Sequence, residues 1–440
     1  MVGKMSKKST KLKAFQDTLK ESNVTLANIE KNDELIRIIK KNADAVHDYR
    51  HPSYVRHLLG DIIMLTFFAV LANANEWGEI ETFGKQKEKW LRKYLELPYG
   101  IPTDDTIRLV NSNISTEHFF DVTVKLLLRT VDQILQHTGK GKGIQGQDIL
   151  AVDGKESRGS KRKTAEGEME ALRTLNVYST DYGICLGQKF IKEKTNEIPA
   201  AQELLPLIDL KGSIVTADAM NCQKGTASAI VAGGGEYVLA LKGNQPIFYE
   251  EVEKYFDEET RKGLKGKENC WYKSVEKEHG GVAVREYFIT EDIEWYSERE
   301  KWEKLNAFGM VKKTLERPDG SRMEEERYYI CSIAEDVKVF ERAARGHWGV
   351  ENGLHWQLDF TFKDDKNTSM AKTGAKNLQI MKKIALSVLK LVKESYGLSL
   401  KRIRYAISLD YENEVEKIFS ILNAESVREA LESKGKSPVK

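Results

Sequence analysis

Two aspartates stand where short apolar runs stop. Ile149-Leu-Ala-Val152 runs into Asp153, and Ser213–Ala217 runs into Asp218. Each run reads as a buried β-strand, and in mixed α/β sheets ligands gather outside the carboxyl ends of strands. Two carboxylates there repel one another unless a cation lies between them or one takes up a proton. Magnesium suits such a setting, because it is held by a few carboxylates plus water and phosphate oxygens. Two such ions about 3.5–4 Å apart serve both the attacking and the leaving oxygen of an in-line phosphoryl displacement. A plainer reading stays open: an Asp after a strand also forms turns and caps helices.

The elements that must position these acids follow from periodicity. Residues 1–140 read as a helical N-terminal domain. Tyr54–Ala72 is apolar nearly all round, as a central helix is, and Thr103 or Asp104 caps a helix after the Pro98–Pro102 breaker. Gly139–Gly146, with four glycines, is a linker. From 147 to 245 the order is three strands, a helix, a strand, a helix and a strand, which predicts a mixed α/β sheet with helices on its faces. Residues 246–335 read as a β-rich subdomain, with strands over 270–275, 282–290, 307–315 and 327–333. Helix returns at 337–360 and 375–394, and residues 411–440 form a helical, polar tail.

Composition narrows the class. With 440 residues, 40% hydrophobic and 31% charged, the chain is a globular protein of two or three domains. The net charge of +2 hides local basic clusters: Lys4, Lys7, Lys8, Lys11 and Lys13 at one end, Lys434, Lys436 and Lys440 at the other. A third holds Lys155, Arg158, Lys161, Arg162 and Lys163. Such runs are either solvated segments or footprints for nucleic acid. Four scattered cysteines without C-x-x-C spacing argue against a zinc ribbon or a disulfide scaffold and fit a reducing cytoplasm. Ile62–Ala72, the most hydrophobic stretch, is far short of the roughly 20 residues a membrane span needs. No membrane partner and no secretory signal are therefore expected.

Six blocks occur in order along residues 45–410: Gly100-Ile-Pro-Thr-Asp-Asp-Thr106, Ala151-Val-Asp-Gly-Lys-Glu-Ser-Arg158, Val215-Thr-Ala-Asp-Ala-Met-Asn-Cys-Gln-Lys224, Tyr237-Val-Leu-Ala-Leu-Lys-Gly-Asn-Gln245, Arg345-Gly-His-Trp-Gly-Val-Glu-Asn-Gly-Leu-His-Trp-Gln-Leu-Asp359, and Asn377-Leu with Ile384-Ala-Leu and Leu389-Lys390. Together they closely resemble the H-repeat-associated (ISAs-type) DDE transposases of bacterial insertion sequences. The resemblance implies a ribonuclease-H-like core with a mixed five-stranded sheet, in two parts (147–245 and 336–410) separated by the β-rich insertion. Length agrees, since 133 residues between Asp218 and Glu351 are too many for one helix and one strand. It also implies an acidic triad of Asp153, Asp218 and Glu351 binding Mg2+, with Mn2+ as a substitute. In that scheme Asp153 bridges two ions, and Asp218 and Glu351 each complete one shell. Water activated there cuts a DNA strand, and the freed 3′-OH attacks target DNA. The implied partners are inverted-repeat ends, bound by residues 1–140, and target DNA. A homodimer on DNA in a bacterial cytoplasm, at the nucleoid when acting, completes the expectation.

Around the triad, Lys155, Arg158, Lys242, Asn244, Gln245, Arg345, His347, Trp348 and Lys363 are candidate DNA contacts. His347 and His355 flank Glu351 at i−4 and i+4, on one face of a regular helix, where they contact phosphate or a carboxylate, or simply pack; zinc is the alternative ligand. Trp348 and Trp356 either stack on an extruded base or pack in the core. One departure stands out. Relatives in the broader group carry a Tyr, Arg, Glu and Lys at set spacings around the last acid, but Leu358 stands seven after Glu351 and Lys363 comes later. Asp359, Asp364 and Asp365 are rival acids, with Asp359 the foremost. Two other functions compete: a domesticated nuclease of the same fold, and a DNA-binding protein without catalysis, which predicts a broken triad.

Overall fold

The computed structural model describes residues 32–117, 119–120, 147–163, 169–191, 197–278, 280–366 and 372–422. The expected linker at 139–146, residues 121–138 of the expected helical N-terminal domain, both terminal lysine clusters and the end of the polar tail lie outside the described residues.

Helices α1 (Asn32–Asp44), α2 (Leu59–Leu71), α3 (Trp77–Leu91) and α4 (Asp104–Asn113) come first. All 13 residues of α2 are buried, which fits its apolar circumference. Its Asp61 is held by Lys40 at 3.2 Å and by the Leu97 amide at 2.8 Å. Thr103 caps α4 by accepting from the Thr106 amide.

Then come β1 (Asp148–Lys163), β2 (Met169–Ser179), β3 (Ile184–Phe190), α5 (Glu197–Leu204), β4 (Ser213–Ala217), α6 (Lys224–Ala232) and β5 (Glu236–Leu241). Beyond Pro246 the chain is not purely β: α7 (Pro246–Tyr255) and α8 (Glu258–Lys265) precede β6 (Trp271–Glu278), β7 (Gly281–Thr290), β8 (Ala307–Glu316) and β9 (Arg322–Cys331). These last four strands form no separate sheet. Antiparallel pairing of β5 with β9 continues the first five into one sheet of nine, ordered β3-β2-β1-β4-β5-β9-β8-β7-β6.

β1 is far longer than the apolar run that announces it. It carries the basic segment 155–163 alongside β2, with a register shift between Ser157 and Arg162. The helix expected over 337–360 is also interrupted. Helix α9 (Val337–Gly346) leads through Trp348–Val350 into a π-helical turn, Glu351–His355, and a last turn, Trp356–Phe360. Helices α10 (Lys372–Tyr396), α11 (Leu400–Leu409) and α12 (Tyr411–Ile421) close the fold.

Alternation along the strands sorts side chains to two faces. Leu150, Val152, Val215, Ala217 and Leu239 pack beneath α5, α6 and α7. On the opposite face, Ile149, Ile214 and Val238 meet α9, and Ala151 and Tyr178 meet the helical layer. In that layer α1–α4 share one core with the end of the Glu351 segment and with α10–α12. Buried Arg404 ties these parts, donating to the carbonyls of Val70 and Thr361. Asn377 on α10 likewise donates to Asn111 O and Ile114 O, satisfying carbonyls at the end of α4.

Candidate active site

β1 and β4 run parallel, and their last paired rung is Val152 with Ala217. Asp153 and Asp218 follow this rung side by side, but only Asp218 stands past a strand end; β1, expected to stop at Asp153, runs on along β2 with Asp153 opposite Asn176. Asp218 does also what a solitary Asp would do there: it caps the short turn Ala219–Asn221, accepting from the Asn221 amide at 3.3 Å and from Asn221 Nδ2 at 3.1 Å. Asn244 and Gln245, after β5, brace this turn by donating to Ala219 O at 2.6 Å and Cys222 O at 3.4 Å. They position the second acid from behind.

Asp153 accepts from the Gly154 amide at 2.9 Å. Burial, and then the negative charges of Asp218, Glu197 and Glu351, push its carboxyl up to about 7. Glu351 is exposed at the start of the π-helical turn. Among the described residues, no lysine or arginine forms an ion pair with Asp153, Asp218 or Glu351. Asp153 thus feels the other acids with no such ion pair to offset them.

The π-helical turn alters the expected geometry of the flanking histidines. A π turn carries one more residue than an α turn and is frequent at functional sites. Glu351 is exposed, while His355 turns inward and brings Nδ1 within 3.5 Å of Asp153 Oδ2. The tautomer follows from a chain of contacts. Lys383 Nζ donates to Asn176 Oδ1 at 2.6 Å and to Gln188 Oε1 at 2.7 Å. Asn176 must then offer its NH2 to His355 Nε2, 3.4 Å away, which leaves the ring proton on Nδ1, facing Asp153. Burial and the charges of Lys155 and Lys383 drive the His355 pKa down to about 3, and burial drives that of His347 to about 4. Both rings are neutral at pH 7. His347 contacts Thr216 Oγ1 through Nδ1 at 3.2 Å.

The other sequence candidates are dispersed. Lys155 is buried, with Nζ 2.5 and 2.6 Å from the two Asp359 oxygens. This pairing takes Asp359 out of contention as a rival ligand and leaves Lys155 no open face toward a DNA strand. Asp364 is buried as well, bonded to Ser157 and Gln379 at 3.0 Å, with Lys382 3.6 Å away. Asp365 receives the Arg158 amide, while the Arg158 residue is exposed. Lys242 and Lys363 are exposed. Arg345 is bonded to Glu276 on β6 at 2.8 Å, and the Arg327 guanidinium lies over the Trp348 ring at 4.5 Å. Trp356 stacks on Phe360, and both are half-exposed.

Glu197 is the acid that sequence reasoning missed. It opens α5 and approaches the chain beside Asp153, and one amide, Asn221 Nδ2, reaches both Glu197 Oε2 at 3.4 Å and Asp218 Oδ1 at 3.1 Å. Burial and the charge of Asp218 raise its pKa. The available signal was faint: an acid in the first turn of a helix is common for reasons of the helix dipole alone.

The sequence matches the Transposase DDE domain family over residues 144–387 and the DDE_Tnp_1-associated family over 43–126. Putative transposase YncI of Escherichia coli O157:H7 is 34% identical, over 84% of this chain and 92% of that one. The H repeat-associated putative transposase YhhI of E. coli K12 is 31% identical, over 80% and 90%. A shorter relative named Inactive transposase YbfQ, from the same strain, is 43% identical over 15% of this chain and 77% of its own. Among solved structures, the piggyBac transposase synaptic complex with hairpin DNA overlays with a TM-score of 0.37 and 11% identity, covering 94% of this chain and 83% of that chain. With family matches spanning most of the described residues, the chain belongs to the DDE transposases, in the group of H-repeat-associated proteins.

Proposed function

We propose that the protein cleaves and rejoins DNA at the ends of an insertion sequence, with Mg2+ (or Mn2+) held by Asp153, Asp218 and Glu351. The observation that carries this reading is the pair of aspartates that follow the last β1–β4 rung, with no lysine or arginine ion pair to either among the described residues. The mixed sheet order β3-β2-β1-β4-β5 within 147–245 supports reading this part as the ribonuclease-H-like core. The four further strands, reached from β5 through α7 and α8, play the part of the insertion, and residues 336–410 complete the core.

The donor set suits a divalent cation. All three acids are hard oxygen donors, and their mutual repulsion is what a +2 charge relieves. Among the described residues, no three His, Cys, Asp or Glu side chains are already gathered at a spacing that holds an ion, so binding must draw the acids together. When bound, such ions activate the attacking oxygen and stabilise the leaving oxygen of a phosphodiester. The chain's own residues do the rest. Neutral His355 presents its Nδ1 proton to Asp153 and orients that carboxylate without neutralising it. Asn244 and Gln245 fix the turn that aims Asp218. The π-helical turn leaves Glu351 open to solvent, where a DNA strand has access. No side-chain nucleophile is required.

DNA contacts fall to the exposed cations Arg158, Lys242 and Lys363, with Arg345 and Trp348 nearby on the α9 segment and His347 behind the site. Residues 1–140 bind the element ends, and two chains meet on DNA as a homodimer. No described helix is long and apolar enough to cross a membrane; we place the protein at the bacterial nucleoid when it acts. Incubation with labelled inverted-repeat DNA and Mg2+ tests the reading. Wild type should release a 3′-OH end and join it to target DNA. No nicking by wild type, or full activity in Asp153→Asn, Asp218→Asn and Glu351→Gln, overturns it.

A further inference from the structure

Glu197 lies closer to the triad than its place in the sequence suggests. A Cβ built on Gly154, the residue after Asp153, would come 2.0 Å from Glu197 Oε1 and 2.5 Å from its Cδ. No side chain at 154 is compatible with the glutamate where it stands. The glycine is not there for its backbone, since Gly154 is absent from the positive-φ positions. From the other side, the Asn221 amide spans Glu197 and Asp218. Two separate elements, β1 and the turn after β4, thus accommodate one acid beside Asp153 and Asp218. Among the described residues no lysine or arginine forms an ion pair with it; Arg173 bonds Glu156 at 3.2 Å, and its charge offsets only part of what burial and Asp218 do to Glu197. A favourable helix dipole alone would accept an acid anywhere in the first turn of α5 and would not need the missing Cβ of Gly154.

We propose that Glu197 is a fourth carboxylate of the metal centre, serving the divalent cation from the side of Asp153 and Asp218. This rests on the reading of the site as a metal centre. The test is Mn2+ binding to the full-length, DNA-free protein, followed by calorimetry and by the electron paramagnetic resonance signal of the free ion. Glu197→Gln keeps the size of the side chain and an oxygen for Asn221, and should weaken Mn2+ binding about tenfold, the usual lower bound for losing a group that supports a metal site. Its metal-free melting temperature should not fall, because the substitution removes a charge that repels Asp153. Gly154→Ala alters no acid but displaces the Glu197 carboxylate, and should weaken Mn2+ to a similar degree. If Gly154→Ala does not fold, Glu197→Gln decides alone. Wild-type affinity in Glu197→Gln, with weakened affinity in Asp153→Asn, overturns the fourth carboxylate and leaves the metal centre standing. Weakened binding accompanied by a lower metal-free melting temperature assigns Glu197 a structural role and also overturns the proposal. Mn2+ binding indifferent to Asp153→Asn removes the metal centre and this proposal together.

Discussion

Two acidic clusters lie within a few residues of each other along β1, and the fold treats them in opposite ways. Around Asp153, the charges of Asp218, Glu197 and Glu351 meet no lysine or arginine ion pair among the described residues, and burial together with these charges pushes its carboxyl up to about 7. A few positions on, Asp359 and Asp364 are each given a buried lysine: Lys155, with a side chain 4% exposed, and Lys382, at 0%. Burial opposes charge on Asp364, but Lys382, Gln379, Lys155 and Ser157 outweigh it and hold its pKa below the ordinary value. The second cluster carries its own counter-charges, although burial still holds the Asp359 pKa above its ordinary value and Lys382 Nζ meets Asp364 without a hydrogen bond. The first carries none, and a carboxyl strongly perturbed by burial and by like charges is a mark of a functional site. The same residue type therefore means two things, and the partner decides which.

The largest effect should come from the open cluster. Asp153→Asn is expected to reduce strand cleavage at least about a thousandfold, the loss that several kcal/mol of transition-state charge stabilisation amounts to. It should leave the fold intact, because the carboxylate contributes repulsion and not attraction to its neighbours. A gel assay on end DNA beside a circular dichroism melt separates the two. Loss of activity through unfolding would erase the contrast between the clusters.

The closed cluster should respond in the reverse sense. Asp364→Ala strands the ammonium of Lys382 in the interior, and losing one partner of a buried pair costs about 3–5 kcal/mol. Urea denaturation should show this as a lower midpoint at unchanged slope. The double variant Asp364→Leu with Lys382→Met should recover much of the loss, since a well-packed apolar pair replaces the charges without a desolvation penalty. A mild Asp364→Ala would mean that water reaches the pair.

Which parts of this arrangement were legible in the sequence depends on whether the signal was local. β4 and the first part of β1 announce themselves as the apolar runs before Asp218 and Asp153, and β6–β9 as β-patterned stretches between charged turns, because such patterning is carried by each strand alone. That β9 pairs with β5 and makes one sheet of nine is set by contacts between distant segments, and no local pattern encodes it. The second half of β1 was hidden because it is basic and partly exposed. The inward turn of His355 depends on one extra residue in a helical turn, invisible to an i+4 rule. Asp359 is the foremost rival of Glu351 in the sequence, and only the fold shows Lys155, 204 residues away in the chain, paired with it. Glu197 was missed for the complementary reason: nothing in its own neighbourhood shows that Gly154 leaves room for it.

A smaller effect follows from pH. The folded-state pKa of Asp153, about 7, stands above its ordinary 3.8, so the folded state holds this proton more tightly than the unfolded chain. Stability from this group is fully present below about pH 4 and is lost as pH rises toward 7. Asp153→Asn should therefore be more stable than wild type at pH 8 by a few kcal/mol at most, with the gap shrinking at pH 5. Melting curves without divalent ions at the two pH values measure it. A gap that does not depend on pH would show that Asp153 is not strained by its neighbours.

The smallest stability effect is expected at a cation that belongs to neither cluster. Arg345 and Glu276 are bonded at 2.8 Å, but their side chains are 38% and 43% exposed, and exposed pairs contribute about 0–1 kcal/mol. Arg345→Ala should thus leave the urea midpoint nearly unchanged. Its DNA behaviour is the sharper question, because a pair this loose can open to let the guanidinium meet a phosphate. Removing one cation from a phosphate lowers the slope of log affinity against log salt by about 0.9 on duplex DNA. Arg345→Ala should show that drop with end DNA, whereas Lys155→Met, if it folds, should show none, since Asp359 already holds its charge. An unchanged slope in Arg345→Ala would place this arginine with the structural cations and leave the neutralisation of DNA to Arg158, Lys242 and Lys363.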